Sequence, residues 1–239
     1  MDIRELLRDK GIVGAGGAGF PTYAKLQQGN IDYYIANGAE CEPLLDVSKE
    51  IMAKYPDKVF KGLNYLKEYT GAKRAVIGLK QKYKSALKAL KECRGSFKLD
   101  VDLFEMGDFF PAGDEQVLVY EVTGRVVPEG GIPLLVGTVV NNIETLYNVC
   151  LAVEDGLPVT EKFITVGGDV ENPITLKVPV GTRIGWLLDF LGVDYNDKVI
   201  IDGGPMMGKI VSPDEPITKV TGGLLIFPNN HPAVKQKEY

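Results

Sequence analysis

The chain has 239 residues, 45% of them hydrophobic and 25% charged, with a net charge of −5. These proportions describe an ordinary globular protein with room for one large domain or two smaller ones. The acidic balance gives no sign of a nucleic-acid surface, the one dense basic run (residues 80–91) reads as the solvated face of a helix, and no apolar run approaches the ~20 residues that span a bilayer.

The opening MDIRELLRDK is charged and amphipathic, so residues 2–9 read as a short helix and not as a signal peptide. A glycine-rich loop follows, then a helix over 21–28 and a strand over 31–36 that ends at the turn signal Asn37-Gly38. A helix over 47–69, a buried strand over 74–79, a helix over 82–93 and an alternating strand over 99–105 come next. Asp114 suits the N-cap of a helix over 114–123. A Pro/Gly-rich connection, 124–137, leads to a strand end with paired asparagines and a helix over 143–154. Strands alternating with helices predict an α/β domain with a Rossmann-like, mostly parallel sheet over 1–158, bounded at Gly156-Leu157-Pro158. Short strands at 162–166, 174–178, 198–201, 209–211 and 223–227 then surround a helix over 183–191. That order is α+β and predicts a small β-grasp-like module over 159–228, with 229–239 as a polar tail.

Cys41, Cys93 and Cys150 are far apart and odd in number, with no cluster or metal spacing, so a reducing, cytoplasmic setting is expected. His231 is the one histidine, which leaves little room for His-based catalysis.

Four stretches carry chemistry. Five glycines fall between Gly11 and Gly19, followed by Phe20, Pro21 and a helix with Lys25. Glycines allow close backbone approach, a helix start offers free amides, and a lysine one turn in adds positive charge: together, a cradle for a phosphate. A flexible linker is the bland alternative, but linkers are padded with polar residues, not with Ile, Val and Phe. Gly14-x-Gly16-x-x-Gly19 also matches the dinucleotide fingerprint, with Glu40 placed 21 residues beyond Gly19. That fingerprint needs a strand before it, and here the preceding segment is helical. The second stretch, Asn37-Gly38-Ala39-Glu40-Cys41-Glu42-Pro43, lies at a strand end, where open α/β sheets bind ligands. Asn37 suits a heteroaromatic ring edge, and Glu40 and Glu42 suit sugar hydroxyls; a solvated surface turn is the alternative. The third, Pro111-Ala112-Gly113-Asp114-Glu115-Gln116, reads equally as an acidic helix start. The fourth, Thr138-Val139-Val140-Asn141-Asn142-Ile143-Glu144-Thr145, reads as a flavin or phosphate contact or as a helix cap.

In order and wording, these stretches resemble the FMN-binding domain shared by the NADH-oxidising flavoprotein subunit of respiratory complex I and the C subunit of the Rnf-type ferredoxin:NAD oxidoreductase. The following module is similar to the SLBB β-grasp domain that comes after it in both. Ala39-Glu40-Cys41-Glu42-Pro43 leans toward the Rnf branch, which also includes a flavin-dependent cobalamin reductase and a proline-reductase-associated electron carrier. The resemblance implies noncovalent FMN held by Gly14, Gly16, Gly17 and Lys25 at the phosphate and ribityl chain. It puts Asn37, Glu40 and Gly113 near the flavin, and Asn141, Asn142 and Thr145 on it from the Val-Asn-Asn-x-Glu-Thr segment. The same resemblance implies that Phe20 stacks on the nicotinamide nucleotide, with Glu42, Phe110 and Glu115 lining the NADH side. The implied protein is an electron-transfer subunit working between NAD(H) and an iron–sulfur protein or ferredoxin, cytoplasmic or peripheral to a membrane-bound complex.

The departures are specific. Complex I has Arg where this chain has Ala15, Asp where it has Ala39, and Gly-Glu-Glu where Gly113-Asp114-Glu115 stands. The cradle therefore carries less charge, and FMN is the firmer expectation of the two nucleotides. The families continue into cluster-binding cysteine segments that this sequence lacks, so a cut before a cluster domain is expected, with clusters in that part or in a partner. A non-enzymatic scaffold with an empty flavin site and a flavin-free Rossmann dehydrogenase are the other readings.

Overall fold

The computed structural model describes residues 2–26, 29–97 and 100–237. The described residues divide into two compact units, one within 2–14, 20–41 and 48–158, the other within 15–19, 42–47 and 159–237. Two short segments, 15–19 and 42–47, thus cluster with the second unit although the sequence alone suggests one contiguous run to 158.

The first unit opens with helix α1 (Ile3–Asp9), N-capped by Asp2, whose side chain accepts from the Arg4 amide. The chain then turns back on itself: Val13 bridges Pro21, and the Gly14 amide donates to the Phe20 carbonyl at 2.8 Å. Helix α2 is one turn, Thr22–Lys25; residues 27–28 of the helix expected over 21–28 lie outside the described residues. Strand β1 (Tyr33–Asn37) follows, then α3 (Val47–Lys54), α4 (Pro56–Thr70), β2 (Arg74–Lys80), α5 (Lys84–Phe97), β3 (Asp102–Met106), α6 (Glu115–Thr123), β4 (Thr138–Asn142) and α7 (Ile143–Glu154). Leu99, expected to open the third strand, also lies outside the described residues.

The single helix expected over 47–69 is two. Pro56 cannot donate to a preceding carbonyl and its ring clashes with the earlier turn, so it stops α3 and starts α4 from the first helical position. The Pro/Gly connection holds a 3-10 turn, Pro133–Val136, stopped by Gly137 in the left-handed region.

The four strands are all parallel, in the order β3-β2-β1-β4. The central β1 is nearly wholly buried (Tyr34, Ile35 and Ala36 at 0% exposure), as a strand covered on both faces must be. Helices α4 and α7 pack closely because Gly62 has no side chain; a Cβ there would overlap the Leu146 carbonyl. Parallel register aligns Asn37 with Asn142 and Gly78 at the carboxyl ends of their strands, the edge where such sheets bind ligands.

The second unit is a five-stranded mixed sheet, β5 (Glu161–Gly168), β6 (Ile174–Pro179), β7 (Lys198–Asp202), β8 (Lys209–Val211) and β9 (Gly223–Pro228), in the order β6-β5-β9-β7-β8. β9 runs parallel to β5, and helix α8 (Ile184–Phe190) covers the sheet. A hairpin, a helix and a last strand inserted beside the first is the β-grasp plan. Ile164, Val166, Leu188, Leu224 and Ile226 fill its core. Residues 229–237 differ from the polar tail expected: α9 (Pro232–Lys235) buries Ala233 and Val234, and His231 stacks on Phe227 at 4.1 Å between ring centres. Two small apolar side chains in a polar run suffice to dock one turn of helix; Glu238 and Tyr239 lie outside the described residues.

Candidate functional site

In the first unit, the carboxyl end of the sheet is built by three of the stretches singled out from sequence. Asn37 ends β1. Its Oδ1 accepts from the Ala39 amide at 3.1 Å, closing a tight turn, and its Nδ2 donates to the Gly113 carbonyl at 2.8 Å. The Gly113 amide donates to Cys41 Sγ at 3.0 Å. Gly113 is thus gripped at both its polar groups, and a Cβ there would overlap the Ala39 carbonyl oxygen. The grip fixes the start of α6, whose N-cap Asp114 accepts from Gln116 and Val117 amides at 2.9 and 3.1 Å. Burial pushes the Cys41 thiol above its ordinary pKa, with the Gly113 amide opposing. Cys41 received no role from sequence, although it sits inside the Asn37–Pro43 motif.

Glu115 follows the cap and meets Lys25. The Lys25 ammonium donates to Glu115 Oε1 and to the Val140 carbonyl, both at 3.1 Å, and lies 5.9 Å from the centre of the Phe20 ring. Next along β4, Asn141 is buried and donates to the Tyr34 hydroxyl at 3.1 Å, deep enough for burial to raise that phenol's pKa. Asn142 caps α7 through the Glu144 amide at 2.9 Å. Thr145 is buried in the first turn of α7 and reaches the Val13 carbonyl at 3.4 Å, beside Gly14. Phe20 and Phe110 are half or more exposed, at 49% and 64%, and Glu40 is half-buried in the turn after Asn37. Gly14, Phe20, Lys25, Asn37, Glu40, Phe110, Gly113, Glu115, Asn141, Asn142 and Thr145 all fall in the first unit, where Lys25 is joined to Glu115, Val140 and Phe20, and Asn37 to Gly113.

Gly16, Gly17 and Glu42 belong to the other unit. Gly16, Gly17 and Ala18 are exposed, and their amides donate to no group among the described residues. Gly17 has φ +109°, a conformation a side chain would strain, and three free amides in such a turn suit an anion. Glu42 engages the 203–208 turn of its own unit: its carboxylate accepts from the Met206 and Met207 amides at 2.9 and 2.6 Å.

The donor set of the first unit fits a phosphate ester carrying an aromatic ring system: it offers one ammonium and side-chain amides at the strand ends. One buried hydroxyl, Thr22 Oγ1 beside Phe20 and Lys25 in sequence, has no partner among the described residues. No group of three or more His, Cys, Asp or Glu among the described residues is arranged to hold a metal ion. No described helix is long and apolar enough to cross a membrane.

Residues 7–151 match the family model of the Nuo51 FMN-binding domain. Cobalamin reductase PduS of Citrobacter freundii is 42% identical over 237 residues, covering 98% of this chain and 52% of the reductase. The C subunit of the proton-translocating ferredoxin:NAD(+) oxidoreductase complex of Clostridium ljungdahlii is 36% identical over 239 residues, covering 96% of this chain and 52% of that relative. The chain spans about half the length of these curated relatives. Among solved structures, an NAD+-reducing NiFe-hydrogenase in the H2-reduced state superposes with a TM-score of 0.83 at 23% identity, over 96% of this chain and 47% of the hydrogenase chain. That likeness is one of fold.

Proposed function

The chain belongs to the family of the Nuo51 FMN-binding domain, and from that premise we propose that it binds FMN noncovalently and passes electrons between NAD(H) and an iron–sulfur acceptor. The observation that carries the reading is the Lys25 ammonium held beside Val140-Asn141-Asn142 at the carboxyl end of the sheet. Bound FMN supplies the redox chemistry, taking a hydride and releasing electrons singly. The chain's own residues bind and orient. Lys25 and Gly14 take the phosphate ester and ribityl chain, with Gly16 and Gly17 assigned to it by the family pattern alone. Asn141, Asn142 and Thr145 would hold the flavin, with Asn37, Glu40 and Gly113 shaping the same site. Phe20, Phe110 and Glu115 form the nicotinamide side, and Glu42 is assigned to it by the family pattern alone. The carboxylates assigned to this site, Glu40 and Glu115, would disfavour extra negative charge on bound FMN and so would tune its potential.

A second reading shares the flavin and differs in the acceptor. The 42% identity to a cobalamin reductase favours a corrinoid as the species reduced. We place either activity in a multi-subunit or longer-chain assembly, at or near a membrane in the first case.

The test is anaerobic mixing of the FMN-loaded chain with NADH, followed at the flavin absorption near ~450 nm. Bleaching supports the full reading. Retained FMN without bleaching removes the nicotinamide side and leaves a flavin carrier; failure to retain FMN overturns the reading.

A further inference from the structure

We infer that Glu115 sets how strongly the site takes a phosphate ester, by holding Lys25 when no such ester is bound. This rests on the FMN reading above.

An ammonium has three protons to donate. Lys25 spends one on Glu115 Oε1 and one on the Val140 carbonyl, and the Phe20 ring lies 5.9 Å away. One proton is left for an arriving phosphate, and a second bond from the ammonium requires displacing a partner. Val140 is backbone in the middle of β4 and cannot turn away. Glu115 can: its side chain is 42% exposed, against 30% for Lys25. Its backbone, by contrast, is fixed. The Asp114 cap and the grip of Asn37 and Cys41 on Gly113 hold the start of α6, so release of Lys25 is a side-chain rotation only. The carboxylate lies in the first turn of a nine-residue helix, whose positive end attracts it. Glu115 therefore competes inside the molecule with the phosphate dianion for one cation. The competition acts on the phosphate and not on the flavin ring or ribityl chain.

An ion pair this exposed changes a dissociation constant by no more than about five-fold. The experiment measures dissociation constants of the full chain for FMN and for riboflavin, which lacks the phosphate. It uses the unaltered chain, Glu115→Gln, Lys25→Met and the double variant, each checked for an unchanged melting profile. Glu115→Gln is expected to tighten FMN about two- to five-fold, to leave riboflavin unchanged, and to have no effect in the Lys25→Met background. Equal changes for both ligands overturn the inference. So does a gain that survives in Lys25→Met, which would be direct repulsion of phosphate by the carboxylate. An unchanged or weaker FMN affinity in Glu115→Gln overturns it as well. If the unaltered chain binds neither FMN nor riboflavin, the parent reading fails and this one with it; if it binds FMN and only the Glu115 effects are missing, this one fails alone.

Discussion

Gly113→Ala is the substitution with the largest consequence for the smallest change. Its Cβ would overlap the Ala39 carbonyl oxygen and approach Cys41 Sγ to 3.0 Å. Both obstacles sit in the turn after β1, so the 111–114 segment must move off that turn. Moving it breaks the bonds from Asn37 Nδ2 to the Gly113 carbonyl and from the Gly113 amide to Cys41 Sγ. Two lost hydrogen bonds at about 0.5–1.5 kcal/mol each, with overpacking strain of about 1–3 kcal/mol, put the loss near ~2–6 kcal/mol. For a protein of this size that lowers the melting temperature by roughly 5–25 °C. Because α6 starts from Gly113, the Lys25–Glu115 pair is displaced too, and FMN affinity falls with stability. Thermal melts and FMN titrations of the two proteins test this. A variant with native melting and native FMN affinity would refute the clamp.

Gly62→Ala should push α4 from α7, because its Cβ would overlap the Leu146 carbonyl; a loss of about 1–3 kcal/mol in urea unfolding is expected, while Gly95→Ala, with nothing near its Cβ, should be neutral or stabilising. Lys73 first, then Arg125, hold the Asp32 carboxyl below the usual aspartate range. A depressed carboxyl stabilises the fold above its unfolded pKa and loses that contribution as pH falls through the folded value. The melting-temperature advantage over Asp32→Asn should therefore be full at pH 7 and shrink below about pH 4; a constant gap across that range would refute the assignment. Burial pushes the Cys150 thiol up to about 12, whereas Cys41 and Cys93 are half-buried. Mass mapping after brief native alkylation should find label on Cys93 and Cys41, with Cys150 modified only in denaturant; early labelling of Cys150 would contradict its burial.

The strand–helix alternation, and the glycine stretch without a strand before it, are readable because they are local. Pro56 is equally visible, yet a 3.6-residue pattern running through it hides that it ends one helix and begins another. The β-grasp order follows from short strands and one helix, while the docking of α9 depends on just Ala233 and Val234. Site residues are harder, because residue type at a strand end does not say which polar groups are already spent. Asn37 finds its partner Gly113 76 positions away, and Glu42 finds Met206 164 positions away, pairings that no local pattern announces. Cys41 lies in a motif that draws attention to its carboxylates, and its hydrogen bond to Gly113 has no local signature. Asn142 is open to two readings by sequence; its oxygen caps α7, and its nitrogen lies 3.5 Å from Ser48 Oγ.

The central claim is that the chain carries an FMN site in which Lys25 meets the phosphate. An equilibrium fluorescence titration of FMN into the chain and into Lys25→Ala tests it most directly. The account predicts saturable binding at one FMN per chain, weakened about ten-fold or more in Lys25→Ala, as loss of a charged hydrogen bond of about 1.5–3 kcal/mol requires. No saturable binding by the unaltered chain, or equal affinity in the two proteins, would contradict it.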